Sequence, residues 1–369
     1  MPDHDPAALA AIGFNEGLAT RVRALAAGLD HATRARLARV TEVHRETVVV
    51  DDGTHAHAAR PHPKLVRLLS DSSTALAVGD WVFVEGDGHE RWIVARVPPA
   101  THLARRDADG RRHPIVSNVD VALLVMGLDA DFNPRRLERF VALVHHDAIA
   151  PVVVLTKADV ARAAGDDVES RTQAIAARLG GHIAVVAVDA TDPSAALMLG
   201  PWCEPGRTLV LLGSSGAGKS TLTNTLVGAA VRDTGPVREV DGRGMHTTTA
   251  RTLLRLPGGA CIVDTPGVRT LKPDGGTSLA GAFADVEALA GECRFNDCRH
   301  ESEPGCAVRD RVDPDRLRNW HKLEREHARD TMTALDRRRM VGEWKARGRA
   351  AAVRARMKRG FDGGGGDGG

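Results

Sequence analysis

Residues Leu209 to Thr221 carry the clearest chemical signal in the chain. Four apolar residues, Leu209, Val210, Leu211 and Leu212, precede Gly213-Ser214-Ser215-Gly216-Ala217-Gly218-Lys219-Ser220-Thr221, and a helix-forming run from Leu222 to Val227 follows. Gly, four residues, then Gly-Lys-Ser between a strand and a helix is the P-loop pattern. Its glycines let the backbone wrap a phosphate, so that amide N–H groups from about Gly216 to Ser220 and the positive end of the helix face the anion. Lys219 is expected to reach the β and γ phosphates and the Ser220 hydroxyl to hold Mg²⁺.

Two further motifs point to the nucleotide. Thr156-Lys157-Ala158-Asp159 is a variant of the Asn-Lys-x-Asp signature that reads guanine. A carboxylate at Asp159 accepts from both the ring N–H and the exocyclic amine of guanine, a donor pair that adenine lacks, while the aliphatic stem of Lys157 lies over base and sugar. Alone, the tetrapeptide reads equally well as the cap of a helix. Beside a P-loop and Asp264-Thr265-Pro266-Gly267 it points to GTP/GDP, and Asp159 argues against an ATPase or small-molecule kinase. Asp264, ending an apolar strand, is expected to hold Mg²⁺ through water and the Gly267 N–H to sense the γ-phosphate. A threonine of the Thr247 to Thr249 run, Thr248 first among them, would close the magnesium shell when the triphosphate is bound. Asp159 precedes Gly213, the reverse of the usual order, which implies a circular permutation; closely spaced termini make one tolerable. Asp-Thr-Pro-Gly then leads straight into the C-terminal domain, so nucleotide state is expected to act on that domain with little linker between.

A third constellation is Cys293, Cys298, His300 and Cys306. Three thiolates and an imidazole make a closed tetrahedral set suited to one structural Zn²⁺, with no position open for catalysis. Free thiols beside a surface His are the plainer alternative, and sequence does not separate zinc from iron. Clustered cysteines in a reducing compartment favour metal over disulfides.

The elements that must position these groups are legible in outline. The 369 residues suffice for two or three domains, and 43% hydrophobic with 27% charged residues is a globular composition. No apolar run approaches the roughly 20 residues of a membrane helix. The first residues lack an export signal, so the expected location is the cytosol and no membrane partner is expected. Leu18, Val22, Leu25 and Leu29 suggest a helical or partly mobile extension over 1–35. Strand and turn signals from Arg36 to about Arg106 suit a small β-barrel, of OB or SH3-like type. Trp81 and Phe83 share a strand face there and either stack on bases or fill the core. From about Pro114 to Asp274 strands alternate with helices, which gives a mainly parallel sheet whose loops at the C-terminal strand ends carry the motifs. Pro314 to about Arg359 reads as helix and ends in a Lys- and Arg-rich arm from Arg337 to Arg359 with one acid, Glu343; it is a nucleic-acid contact or a solvated helix face. Residues 363–369 are a flexible tail or an expression remnant. The expected fold is α/β, a circularly permuted P-loop GTPase domain (111–275) flanked by an OB-like barrel (36–110) and a helical zinc-binding domain (276–359), with a Gly-rich tail (360–369).

The motif order, together with the Arg243 to Thr249 segment containing His-Thr-Thr-Thr, resembles the ribosome small-subunit-dependent GTPase A (RsgA) family over roughly residues 36 to 335. That resemblance implies a late-acting assembly factor of the small (30S) ribosomal subunit, with slow GTP hydrolysis stimulated by the subunit. Barrel and zinc domain would contact ribosomal RNA, and a monomer is expected. Two departures stand out: Thr156 replaces the commoner Asn, and Arg243-Gly244-Met245 lacks the family's usual second Arg. Many GTPases orient the attacking water with a Gln after the switch glycine; here Val268 cannot, so the free enzyme should be slow. Residue type and resemblance suggest His246 as the substitute, ordered by a partner, although an RNA-facing or solvated loop residue is equally compatible.

Overall fold

The computed structural model describes residues 5–28, 35–44, 47–69, 75–88, 90–106, 112–229, 251–265, 279, 281–331 and 339. Helices α1 (Pro6–Ala10) and α2 (Glu16–Ala26) begin at Asp5 and Asn15, whose side chains accept the Ala7 and Leu18 amides. Their apolar residues Leu9, Leu18 and Val22, with Ile12 from the turn between them, are buried against Leu37, Trp81, Phe83 and Ala95. The N-terminal stretch therefore completes a core.

That core belongs to a barrel of β1 (Arg36–Val43), β2 (Val48–Asp51), β3 (Ala56–Pro61), α3 (Pro63–Leu68), β4 (Trp81–Glu85) and β5 (Trp92–Arg96). Antiparallel pairs β1–β2, β2–β3, β4–β5 and β1–β4 join a parallel β3–β5 pair into a closed ring. With its helix between the third and fourth strands the barrel is OB-like. The base-stacking reading of Trp81 and Phe83 is corrected here: they are 0% and 3% exposed, and Phe14 packs edge-on against the Trp81 ring at 5.3 Å. Sharing a strand face placed both indoors once α1 and α2 covered that face.

A ribbon of β6 (His102–Arg106) and β7 (Arg112–Ser117) leads into the α/β region. Its elements are β8 (Val121–Gly127), α4 (Pro134–His146), β9 (Ala150–Thr156), α5 (Ala158–Ala163), α6 (Val168–Arg178), β10 (Ala184–Ala187), α7 (Ser194–Leu199), β11 (Thr208–Gly213), α8 (Lys219–Val227), β12 (Thr252–Arg255) and β13 (Cys261–Asp264). Spatial order is β10-β9-β8-β11-β13-β12, parallel except for the antiparallel β12–β13 pair. The central strands are buried on both faces, and alternate residues supply different cores. Leu124, Val153, Val210 and Leu212 pack with α4 and α6, whereas Leu123, Val154, Leu209 and Leu211 pack with α7 and α8.

Two seams attach the flanking units. Thr252 of β12 pairs with Glu42 of β1, so sheet and barrel are continuous, and Arg255 reaches Asp51 at 2.7 Å. Arg39, fully buried, donates to carbonyls of Ile12, Gly79 and Asn118, tying the N-terminal segment, barrel and α/β region together. On the far side lie α9 (Ala284–Ala290), α10 (Ala307–Arg311) and α11 (Pro314–Thr331). Fully buried Glu138 of α4 accepts from Arg316 at 2.6 Å, Arg178 at 2.7 Å and Asn319 at 2.5 Å. Arg316 also pairs with Asp285 and lies 4.6 Å from the Phe283 ring centre. The C-terminal unit is thereby clamped to α4. His246, Thr248, Gly267, Val268, the Gly tail and, Arg339 apart, the basic arm lie outside the described residues.

Candidate functional site

The P-loop and the guanine-type motif meet at the C-terminal edge of the parallel strands, where α/β sheets take ligands. Gly213 ends β11 where no side chain fits: a Cβ there would stand 2.2 Å from the Val125 carbonyl of β8. Beyond it Gly216 and Gly218 have φ of +79° and +86°, left-handed conformations open to glycine. Gly218 is the N-cap of α8 and offers no side-chain cap, so the first amides of that helix face the loop. Such a nest of backbone N–H groups at a helix N-terminus fits an anion. Ser215 and Gly216 are exposed, Ser214, Ser220 and Thr221 half-buried, and Ala217 buried. Lys219 is 9% exposed and its ammonium arches back onto the Gly213 and Ser214 carbonyls at 3.0 and 2.6 Å, within the loop it would share with phosphate.

Thr156 ends β9 fully buried, and its hydroxyl donates to the Ala217 carbonyl at 2.7 Å. The small threonine thus ties the base motif directly to the P-loop, and Gly218 leaves room for it: a Cβ there would lie 3.3 Å from the Thr156 oxygen. Lys157 follows in a left-handed conformation at φ 61° and opens α5. Ala158 is buried, and Asp159 stands exposed in the first turn of α5, free to face a ligand. On the other side of β11, Asp264 ends β13 at 2% exposure, and the next residue, Thr265, donates to the Leu211 carbonyl at 2.7 Å. A P-loop hydroxyl at Ser220 and a carboxylate at Asp264 are a hard oxygen pair of the kind Mg²⁺ takes.

The turn after β8 also belongs to the site, and sequence reasoning passed over it. The Asp129 carboxylate meets the Lys157 ammonium at 2.5 Å, and Asp131 accepts the Ser214 hydroxyl while pairing with Arg136 at 2.8 Å. Partial burial raises the Asp129 pKa, but Lys157 and the Asp131 amide outweigh it and hold the group below the usual carboxylate value. Two acids at a strand end were the available signal; which residues they meet depends on strand order.

The four predicted metal ligands converge. Cys293, Cys298, His300 and Cys306 place their ligand atoms within 4.8 Å of one another. Tetrahedral zinc with ~2.3 Å bonds to sulfur and ~2.0 Å to nitrogen sets ligand atoms ~3.5–3.8 Å apart. His300 Nδ1 lies 3.6 Å from the Cys293 sulfur and 3.4 Å from that of Cys306, and the two sulfurs are 4.0 Å apart, so these three lie close to that spacing, with Cys298 within 4.8 Å of each. Burial, then His321, lowers the His300 pKa and favours the neutral, ligating ring. Glu303 accepts the amides of Arg299, Glu301 and Ser302 at 3.0 Å each, which holds the loop carrying His300, and backbone amides push its pKa down to about 2.

Known proteins resemble this chain over most of its length. A family model described as RsgA GTPase matches residues 97–273. A small ribosomal subunit biogenesis GTPase RsgA of Xanthomonas campestris pv. campestris (strain B100) is 50% identical over 300 residues, 79% of this chain and 80% of that one. Its counterpart in Xanthomonas oryzae pv. oryzae (strain PXO99A) is 49% identical with the same coverage. Among solved structures, YjeQ from Thermotoga maritima superposes with a TM-score of 0.59 at 23% identity, covering 80% of this chain and 99% of that one. YloQ, described as a circularly permuted GTPase, gives 0.57 at 21%, covering 83% and 99%. The last two speak to the fold alone.

Proposed function

Since this chain belongs to the RsgA family of GTPases, we propose that it acts in the biogenesis of the small ribosomal subunit, hydrolysing GTP to GDP and phosphate when the subunit engages it. What supports the reading is the bond from Thr156 of the guanine-type motif to Ala217 of the P-loop, in a chain half identical to a small-subunit biogenesis GTPase.

In this reading Asp159 accepts the two guanine donors, and the P-loop amides with Lys219 take the phosphates, Lys219 exchanging its loop carbonyls for β and γ oxygens. Ser220, Asp264 and, in the triphosphate state, Thr248 would hold Mg²⁺, which would supply neutralisation of the charge developing on the phosphates. Gly267 follows the γ-phosphate, and His246 orients the attacking water once the subunit has ordered its segment. Zn²⁺ in the Cys293, Cys298, His300, Cys306 set holds the C-terminal unit in shape, and barrel and zinc domain face ribosomal RNA. The protein works as a monomer in the cytoplasm.

The test is turnover of GTP and ATP by the purified protein with and without purified small subunits. GTP turnover stimulated by subunits is the expected result, and equal turnover of ATP or no stimulation would overturn it. His246→Ala is expected to abolish the stimulated rate while sparing GTP binding; unchanged stimulation removes His246 from the mechanism. Val268, an aliphatic residue where water is usually oriented, favours a second reading in which hydrolysis only releases a nucleotide-gated RNA-binding protein. A hydrolysis-dead variant that accumulates on subunits would support it.

A further inference from the structure

We propose that Asp129 is a positioning residue for the nucleotide base: it pins the far end of Lys157 so that the lysine stem forms one rigid wall of the base slot. The inference rests on the guanine-nucleotide reading above.

Lys157 is fixed at both ends. At its backbone it occupies the left-handed region at φ 61° and ψ 33°, between β9 and α5, so the direction in which its side chain leaves is set by the strand end. At its tip the ammonium meets Asp129 at 2.5 Å. Between those points runs a four-carbon stem, an apolar surface long enough to lie along a flat ring. A lysine stem loses rotamer freedom when ordered, and a stem already ordered asks less of the ligand.

The turn that presents Asp129 is shaped for the contact. Gly127 ends β8, and a Cβ there would stand 2.6 Å from an Asp129 oxygen and 3.5 Å from Lys157 Cδ, so the missing side chain is the space in which carboxylate and stem approach. The Asp129 carboxylate also accepts the Asp131 amide at 3.0 Å, which closes the turn. Asp131 in turn takes the Ser214 hydroxyl of the P-loop. One turn therefore touches both halves of the site.

The pair is itself partly solvated, its side chains 33% and 35% exposed. As a surface ion pair alone it would add little to folding and nothing to ligand binding. Nucleotide affinity separates the two roles. Binding of a fluorescent GDP analogue, and steady-state GTP turnover, would be measured on the full chain for Asp129→Asn, Lys157→Met and the double variant. Asp129→Asn is expected to weaken GDP and GTP alike by about five- to tenfold, with KM for GTP raised and kcat unchanged. The double variant should be no worse than the poorer single one, because both remove the same pin from the stem. Asp129→Asn affinity within about twofold of the unaltered protein, or losses that multiply in the double variant, would overturn the inference while leaving the GTPase reading intact. Failure of the unaltered protein to bind GDP would instead sink the guanine reading, and this inference with it.

Discussion

At the scale of single residues, the Thr156 hydroxyl joins the two halves of the proposed nucleotide site. Thr156→Val keeps the shape and removes the donor, leaving the buried Ala217 carbonyl without that partner, a change that costs about 1–3 kcal/mol. We expect the Thr156→Val variant to unfold at lower temperature and to bind GDP more weakly than the Thr156→Ser variant, which retains the hydroxyl; equal behaviour of the two in thermal melts and GDP titrations would mean that the bond does not matter. The contrast between Thr156 and Asp129 shows where sequence reading works. The tetrapeptide from Thr156 to Asp159, the P-loop and the cysteine set are local patterns whose spacing alone demands a chemistry. Asp129 and Lys157 lie 28 positions apart and meet because β8 and β9 are neighbours. Glu138 and Arg316, 178 apart, meet through the packing of α11 on α4. Such pairs have no local signature, since their partner is set by strand order and helix packing.

At the scale of elements, the cysteine set shares a core with one face of the sheet, yet we expect metal binding and nucleotide binding to be separable. The short helices α9 and α10 flank the cysteine set, and Cys306 itself caps α10 by accepting the Arg309 amide at 3.3 Å. Zinc bound there contributes folding free energy to the segment around it. Purified protein should carry one zinc per chain. Its removal by a strong chelator, or Cys306→Ser, should expose the region from about residue 290 to 312 to protease while GDP binding persists; loss of GDP binding in step with zinc would contradict the separation. The barrel was legible as a barrel, but its OB-like type needed the pairing of β3 with β5, a contact that no turn or strand signal encodes.

At the scale of the whole molecule, the C-terminal unit is held on α4 by buried charge. Glu138→Gln removes the anion beneath Arg178 and Arg316, and breaking a buried pair of this kind costs about 3–5 kcal/mol. The expected outcome is early release of the C-terminal unit, seen as protease cleavage within about residues 282–331 at temperatures the unaltered protein withstands. The pH dependence follows from two flanking acids. Arg135, then Arg178, holds the Asp315 pKa well below the usual carboxylate range, and Arg316 overcomes partial burial to lower that of Asp285. Folded values below the unfolded ones mean that this stabilisation is complete above the ordinary carboxylate range and is lost as pH falls through the depressed values. Attachment, followed by the same cleavage assay with an acid-tolerant protease, should be flat from about pH 8 to 5 and weaken below about pH 4; a decline already at pH 6 would point to other groups. The strand order has a consequence for synthesis. β8 lies at the centre of the parallel sheet, yet one of its two neighbours, β11, is encoded far downstream, after β9, β10 and their helices. At roughly 5–20 residues per second, a new chain leaves that edge of β8 open for several seconds before its partner emerges. While it is being made, this protein carries an apolar, half-paired strand edge, and nascent chains stalled between residues 130 and 205 should be the ones that chaperones capture.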